Sequence, residues 1–136
     1  MIPFICQIKH DPPEKYGDCL RAVIASLLEI EPLEVPHFAD NGRTFDETMR
    51  ELRTYLNAMG VGGIWLTQYD ASVSHEYIMQ CIGELNPGIY YLLFSADHVV
   101  ICMNDRIVHD PAWYRTSLTT PAEAWVVGVL THDPSD

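Results

Sequence analysis

Cationic residues are scarce in this chain: 8 lysines and arginines stand against 19 aspartates and glutamates, for a net charge of −11. That deficit excludes a broad nucleic-acid surface, because phosphate binding needs clustered cations. It also disfavours an anionic membrane surface, and it suits a basic peptide or cationic partner as well as simple solubility. No basic stretch followed by a long apolar segment stands at Met1-Ile2-Pro3-Phe4-Ile5-Cys6, so no signal peptide is read there. No apolar run approaches membrane-spanning length, and the expected compartment is the cytoplasm. Cysteine is sparse too: Cys6, Cys19, Cys81 and Cys102 lie far apart, with no C-x-x-C pair. In a reducing compartment such cysteines are expected as free thiols. His10, His37, His75 and His132 share no metal-ligand spacing, so no metal and no other cofactor is expected. Repeats, low-complexity tracts and linkers are also missing. With 136 residues, 48% of them hydrophobic, the expectation is one domain over residues 1–136 with one core.

What is present is strong patterning. Phe4 to Ile8 reads as a short strand. Asp18 is a suitable N-cap. Leu20, Val23, Ile24, Leu27 and Leu28 then follow at helical spacing, with Cys19, Ala22 and Ser26 on an adjacent stripe of small residues. Glu31-Pro32 is read as the stop. Leu33 to Phe38 is an irregular connection with apolar anchors. Thr44 caps a second helix, roughly Phe45 to Met59, ended by Gly60. Ile64 to Tyr69 reads as a strand and Ser74 to Ile82 as a short third helix. Ile89 to Phe94, His98 to Met103, Arg106 to Asp110 and Trp125 to Leu130 are rich in branched and aromatic residues, as strands are. Helices first and antiparallel strands last imply an α+β fold.

The chemistry gathers around Cys19, in Tyr16-Gly17-Asp18-Cys19-Leu20-Arg21-Ala22. First-turn N–H groups have no partner within a helix, and the helix dipole is positive at that end. Both favour a thiolate and hence a nucleophile. Cys6, Cys81 and Cys102 lack this context and read as packing. Downstream come Asp97-His98-Val99-Val100 and then Ile107-Val108-His109-Asp110-Pro111. His98 is the candidate base for the Cys19 proton, and Asp110 the group that orients its ring. A strict two-residue turn at Asn104-Asp105 would point His98 and Asp110 to opposite faces, so the site demands a three-residue turn or a bulge. Gln7 is the candidate oxyanion donor, together with the Cys19 backbone N–H. Asp18, Trp113 and Tyr114 are candidate substrate-binding residues, the two aromatics as walls of a groove or as packing.

Gln7, the Gly17 to Ala22 segment, Glu31-Pro32-Leu33-Glu34-Val35-Pro36-His37-Phe38, His98-Val99-Val100 and His109-Asp110-Pro111 together resemble small papain-like cysteine peptidase-type proteins of bacteriophages and bacteria. These are similar to the peptidase domain that trims double-glycine leaders from bacteriocins. The resemblance spans Gln7 to Pro111. It implies a papain-like fold with the nucleophile at the first helix N-terminus, acyl-thioester chemistry, and a triad in which Cys19 matches the nucleophile, His98 the base and Asp110 the third member. Two positions depart from the pattern. Pro13 stands where the family has its oxyanion glutamine, and Leu20 stands where glycine often follows the cysteine. The implied activity is cleavage of a peptide or isopeptide bond in a protein or peptide substrate. Transglutaminase- or deamidase-type acyl transfer on the same triad is an alternative. A catalytically weak module that binds a protein partner is another.

Overall fold

Apolar residues at helical and alternating spacing build three α-helices and five strands among the residues that the computed structural model describes, 1–12, 14–114 and 118–131. The fold is mixed α+β, with a five-stranded, wholly antiparallel sheet. The chain divides into two compact units. The first takes Met1–Gly63 with residues 111–114, and the second takes Ile64–Asp110 with residues 118–131. Pro13 and His132, both singled out in the sequence, lie outside the described residues.

The first unit carries α1 (Cys19–Leu28) and α2 (Phe45–Met59). Every α1 residue from Cys19 to Leu27 is buried except Arg21, so its small-residue stripe is covered as fully as its bulky face. The helix stops before Glu31-Pro32: Glu29 takes a left-handed conformation (φ 60°), and the Ile30 N–H turns back to the Ala25 carbonyl at 3.1 Å. This terminal geometry satisfies orphan carbonyls and leaves the proline one step downstream. α2 begins with a full capping box. The Thr44 hydroxyl accepts the Glu47 N–H at 3.1 Å, and the Glu47 carboxylate accepts the Thr44 N–H at 3.0 Å. Those hydrogen bonds hold the exposed Glu47 carboxyl below its ordinary pKa.

No strand forms over residues 4–8, against the expectation from sequence. The N–H groups of this segment go to other partners: Phe4 to the Ser26 hydroxyl, Cys6 to the Pro111 carbonyl, Gln7 and Ile8 to the Asp18 carboxylate. With its donors spent on side chains and one loop carbonyl, the segment has no ladder to join.

The second unit holds β1 (Ile64–Asp70), α3 (His75–Leu85), β2 (Tyr90–Phe94), β3 (Val99–Met103), β4 (Arg106–His109) and β5 (Ala124–Leu130). The strand order is β1-β5-β2-β3-β4. α3 buries Ile78, Met79 and Ile82 against Tyr91, Leu93, Val100, Trp125 and Val127. Gly83 admits the β3–β4 turn: a Cβ there would stand 2.2 Å from the Asn104 carbonyl oxygen. The same carbonyl accepts the Tyr91 hydroxyl at 2.6 Å, and the Asn104 side chain accepts the Gly88 N–H at 3.0 Å. Asn104, at φ 55°, supplies the left-handed conformation that a two-residue hairpin turn requires. The turn is thereby fixed from three sides, and the far ends of the strands that leave it adjoin the candidate base and its partner.

Candidate functional site

The seven residues singled out in the sequence fall into two groups, one in each unit. Gln7, Asp18, Cys19, Trp113 and Tyr114 belong to the first, and His98 and Asp110 to the second.

In the second unit the β3–β4 hairpin turns on two residues, Asn104 and Asp105, yet it is not strict. Met103 pairs with Arg106 and Cys102 with Ile107, but Ile101 pairs with His109. Val108 is the extra residue of a β-bulge. Past the bulge, Asp110 follows the last residue of β4 and His98 precedes the first residue of β3, so the two stand at neighbouring strand ends. The consequence is direct: His98 Nε2 lies 2.6 Å from Asp110 Oδ1. The His98 side chain is fully buried, whereas that of Asp110 is 29% exposed. The His98 carbonyl is held from behind by the Ser95 N–H at 2.9 Å and the Ser95 hydroxyl at 3.3 Å. An ionised carboxylate only accepts, so the shared proton sits on Nε2 and a neutral ring carries its lone pair on Nδ1. Nδ1 is buried and has no hydrogen-bond partner among the described residues. A bare ring nitrogen with an oriented tautomer is what general-base chemistry uses.

In the first unit, Cys19 is the first residue of α1. Asp18 holds the N-cap position but does not cap. Its side chain turns away from the helix, and Oδ1 accepts the Gln7 and Ile8 N–H groups, each at 2.9 Å. Oδ2 stands 3.9 Å from Arg21. Upstream, Gly17 lets His10 approach: its N–H donates to His10 Nδ1 at 3.1 Å, and a Cβ at Gly17 would meet the His10 Cβ at 2.9 Å. His37 Nε2 donates to the Tyr16 carbonyl at 2.8 Å, and Val35 and Phe38 on either side of it are buried. The Val-Pro-His-Phe connection thus fixes the turn that delivers Cys19.

Anchoring residues 6–8 on Asp18 brings Cys6 beside Cys19, and Cys6 is a residue that the sequence reading assigned to packing. Both thiols are buried, and they titrate as a pair. Cys6 is lowered, chiefly because the Cys19 thiol hydrogen-bonds to its sulfur, with the Trp113 backbone N–H adding to this. Cys19 is pushed well up by the same contact with Cys6 and then by burial, with the Asp18 charge adding to it. These influences on Cys19 run opposite to the lowering expected from the helix terminus. Of the two thiols, Cys19 is the one whose ionisation its surroundings oppose. The expected result of Cys6→Ala follows in sign. With the largest upward influence removed, the Cys19 titration midpoint falls, and at any pH below it the thiolate fraction rises about tenfold per unit of fall. The pH profile of iodoacetamide alkylation at Cys19, read by peptide mass, checks this. An unchanged or higher midpoint contradicts it.

Tyr114 and Trp113 flank the pair. Tyr114 Oη lies 4.0 Å from Cys19 Sγ and accepts the His10 N–H at 3.4 Å. Burial, and then the nearby Cys19 sulfur, push the Tyr114 phenol up to about 12, so it stays a donor at neutral pH. Trp113 is 61% exposed and meets Tyr114 edge-on at 5.2 Å. The Gln7 side chain is exposed, and its amide nitrogen rests on the Ile5 carbonyl at 3.4 Å. Gln7, His10, Tyr16, Asn41 and Trp113, with Lys9, line a cleft of about 790 Å³. His10 joins this cleft to the sulfur, since it walls the one and donates to the tyrosine beside the other. Among the described residues no cluster of three or more His, Cys, Asp or Glu side chains offers a metal site, and no helix is long and apolar enough to cross a membrane.

Comparison of the chain with known protein families, curated proteins and solved structures finds no match in any of the three.

Proposed function

We propose that this chain is a papain-like cysteine hydrolase that cleaves a peptide or isopeptide bond through Cys19, His98 and Asp110. The observation that carries the reading is His98. It is buried, it is oriented through Nε2 by a carboxylate 2.6 Å away, and its Nδ1 is left without a partner. A buried polar atom without a partner costs about 1–3 kcal/mol. Such a cost is commonly retained where the atom has chemistry to perform. In the proposed cycle Nδ1 takes the Cys19 proton and the sulfur attacks the carbonyl carbon. The imidazolium then returns the proton to the leaving group, and water resolves the thioester. The upward push that Cys6 and burial exert on the Cys19 thiol supports the need for such a base.

Acyl transfer to an amine, or deamidation of a glutamine, uses the same groups and differs in the acceptor. The mass of the product separates these from hydrolysis. The reading as a protein-binding module draws on the burial of Cys19, which is 5% exposed.

The test uses two small electrophiles, p-nitrophenyl acetate and iodoacetamide, with the half-buried Cys81 as an internal reference thiol. Cys19 is expected to react faster than Cys81 with both reagents near neutral pH. His98→Ala is expected to slow both reactions at Cys19 by about 10²–10⁴-fold, while Cys81 is unaffected. Equal rates at Cys19 in wild type and His98→Ala overturn the proposal.

A further inference from the structure

The oxyanion donor is the part of the proposed machinery that the sequence leaves in difficulty. The position that carries the family's glutamine is Pro13, and the amide nitrogen of Gln7 rests on the Ile5 carbonyl. A different donor stands at the sulfur. We infer that the Tyr114 hydroxyl is the oxyanion donor for acyl transfer to Cys19, an inference that rests on the hydrolase reading above.

The geometry fits the task. Attack by Cys19 Sγ forms the C–S bond, and the carbonyl π pair moves onto oxygen. That oxygen therefore develops its charge one bond beyond the carbon attached to sulfur. A hydroxyl 4.0 Å from the sulfur leaves room for such an oxygen within the roughly 2.7–3.1 Å that a donor needs. The hydroxyl is also pre-oriented. Its oxygen accepts the His10 N–H at 3.4 Å and is held facing the Cys19 sulfur. The ring is held by Trp113 on its edge and by the Lys9 ammonium 5.5 Å over its face. A cation over the ring favours negative charge at the phenol oxygen and sharpens it as a donor. Burial opposes ionisation, so the group stays protonated through the neutral range and donates a hydrogen bond without surrendering the proton. The first-turn N–H groups of α1, which have no intrahelical acceptor, supply the second donor expected of such a hole. When the intermediate collapses, the electron pair returns to carbon, the leaving group departs, and the tyrosine is unchanged.

Tyr114→Phe tests this, because it removes one oxygen and keeps the ring with its two contacts. The two electrophiles separate the roles. Acetylation by p-nitrophenyl acetate passes through a tetrahedral oxyanion, whereas alkylation by iodoacetamide is a displacement at saturated carbon and makes none. In Tyr114→Phe, acetylation of Cys19 is expected to fall by about 10²-fold. Iodoacetamide alkylation, compared at equal thiolate fraction from the pH profile, is expected to change by less than about threefold. A fall of the same size in both reactions assigns Tyr114 to packing around the thiol and overturns the inference, as does no fall in either. Wild-type Cys19 reacting no faster than Cys81 with either reagent defeats the hydrolase reading itself, and the inference with it. The two failures are therefore distinct.

Discussion

Asp110→Ala is expected to slow acetylation of Cys19 by about 10³–10⁴-fold, close to the loss produced when the orienting acid of other triads is removed. The reasoning lies in the ring. With Asp110 accepting from Nε2 at 2.6 Å, the neutral imidazole carries its proton on Nε2 and offers Nδ1 as the basic atom. Without the carboxylate that preference is gone, and the proton is free to sit on Nδ1, where it blocks the base. The imidazolium formed during proton transfer also loses the charge that stabilises it. Because the His98 side chain is fully buried, the variant leaves two ring nitrogens without partners, at a cost to folding of about 1–3 kcal/mol. Asp110→Asn separates the two effects. It keeps a partner in place but offers an amide that also donates, so stability is largely kept while the tautomer is no longer fixed. ¹⁵N spectroscopy of the imidazole reads the tautomer directly. A wild-type neutral ring protonated on Nδ1, or an Asp110→Ala variant with full acetylation rate, rules Asp110 out as the orienting group.

The bulge that makes this pair shows where sequence reading has power and where it stops. Chemistry alone demanded that His98 and Asp110 share a face, and the period of two along a strand then required one extra residue between them. The structure supplies it at Val108, where nothing in the composition of Arg106-Ile107-Val108-His109 marks a bulge. The helices were legible for a different reason. Thr44 with Glu47 three residues on, and Gly60 at the far end, are local signals whose partners lie within one turn, and α2 keeps both boundaries. The Phe4 to Ile8 segment misled because apolar spacing reports burial and not the destination of backbone donors. Here those donors go to Ser26, Asp18 and the Pro111 carbonyl, far along the chain. The Cys6–Cys19 pair was invisible for the same reason. Only loop closure through Asp18 brings the two thiols together, and no spacing rule encodes that closure.

Asp18 itself carries the largest expected effect on folding. Its carboxylate is 1% exposed and accepts two backbone N–H groups, with Arg21 at 3.9 Å as its nearest cation. Asp18→Ala strands all of these at once. Gln7 and Ile8 lose their acceptor, and Arg21, whose Nε already has no partner among the described residues, loses its counter-charge. Removing one member of a buried charged cluster costs about 3–5 kcal/mol, which is a large part of the stability of a small protein. Asp18→Asn keeps an oxygen in the same place and exchanges charge-assisted hydrogen bonds for neutral ones, so its expected cost is about 1–2 kcal/mol. Urea denaturation measures both as a fall in the midpoint at constant slope. Amide hydrogen exchange at Gln7 and Ile8 localises the effect: it accelerates sharply in the alanine variant and modestly in the asparagine one, ahead of the α1 amides. The same release frees Cys6 from Cys19, so the Cys19 titration midpoint falls in Asp18→Ala by a route that leaves both sulfurs in place. A destabilisation below about 1 kcal/mol, or unchanged exchange at those two amides, means that the buried carboxylate is not what ties residues 6–8 to the start of α1.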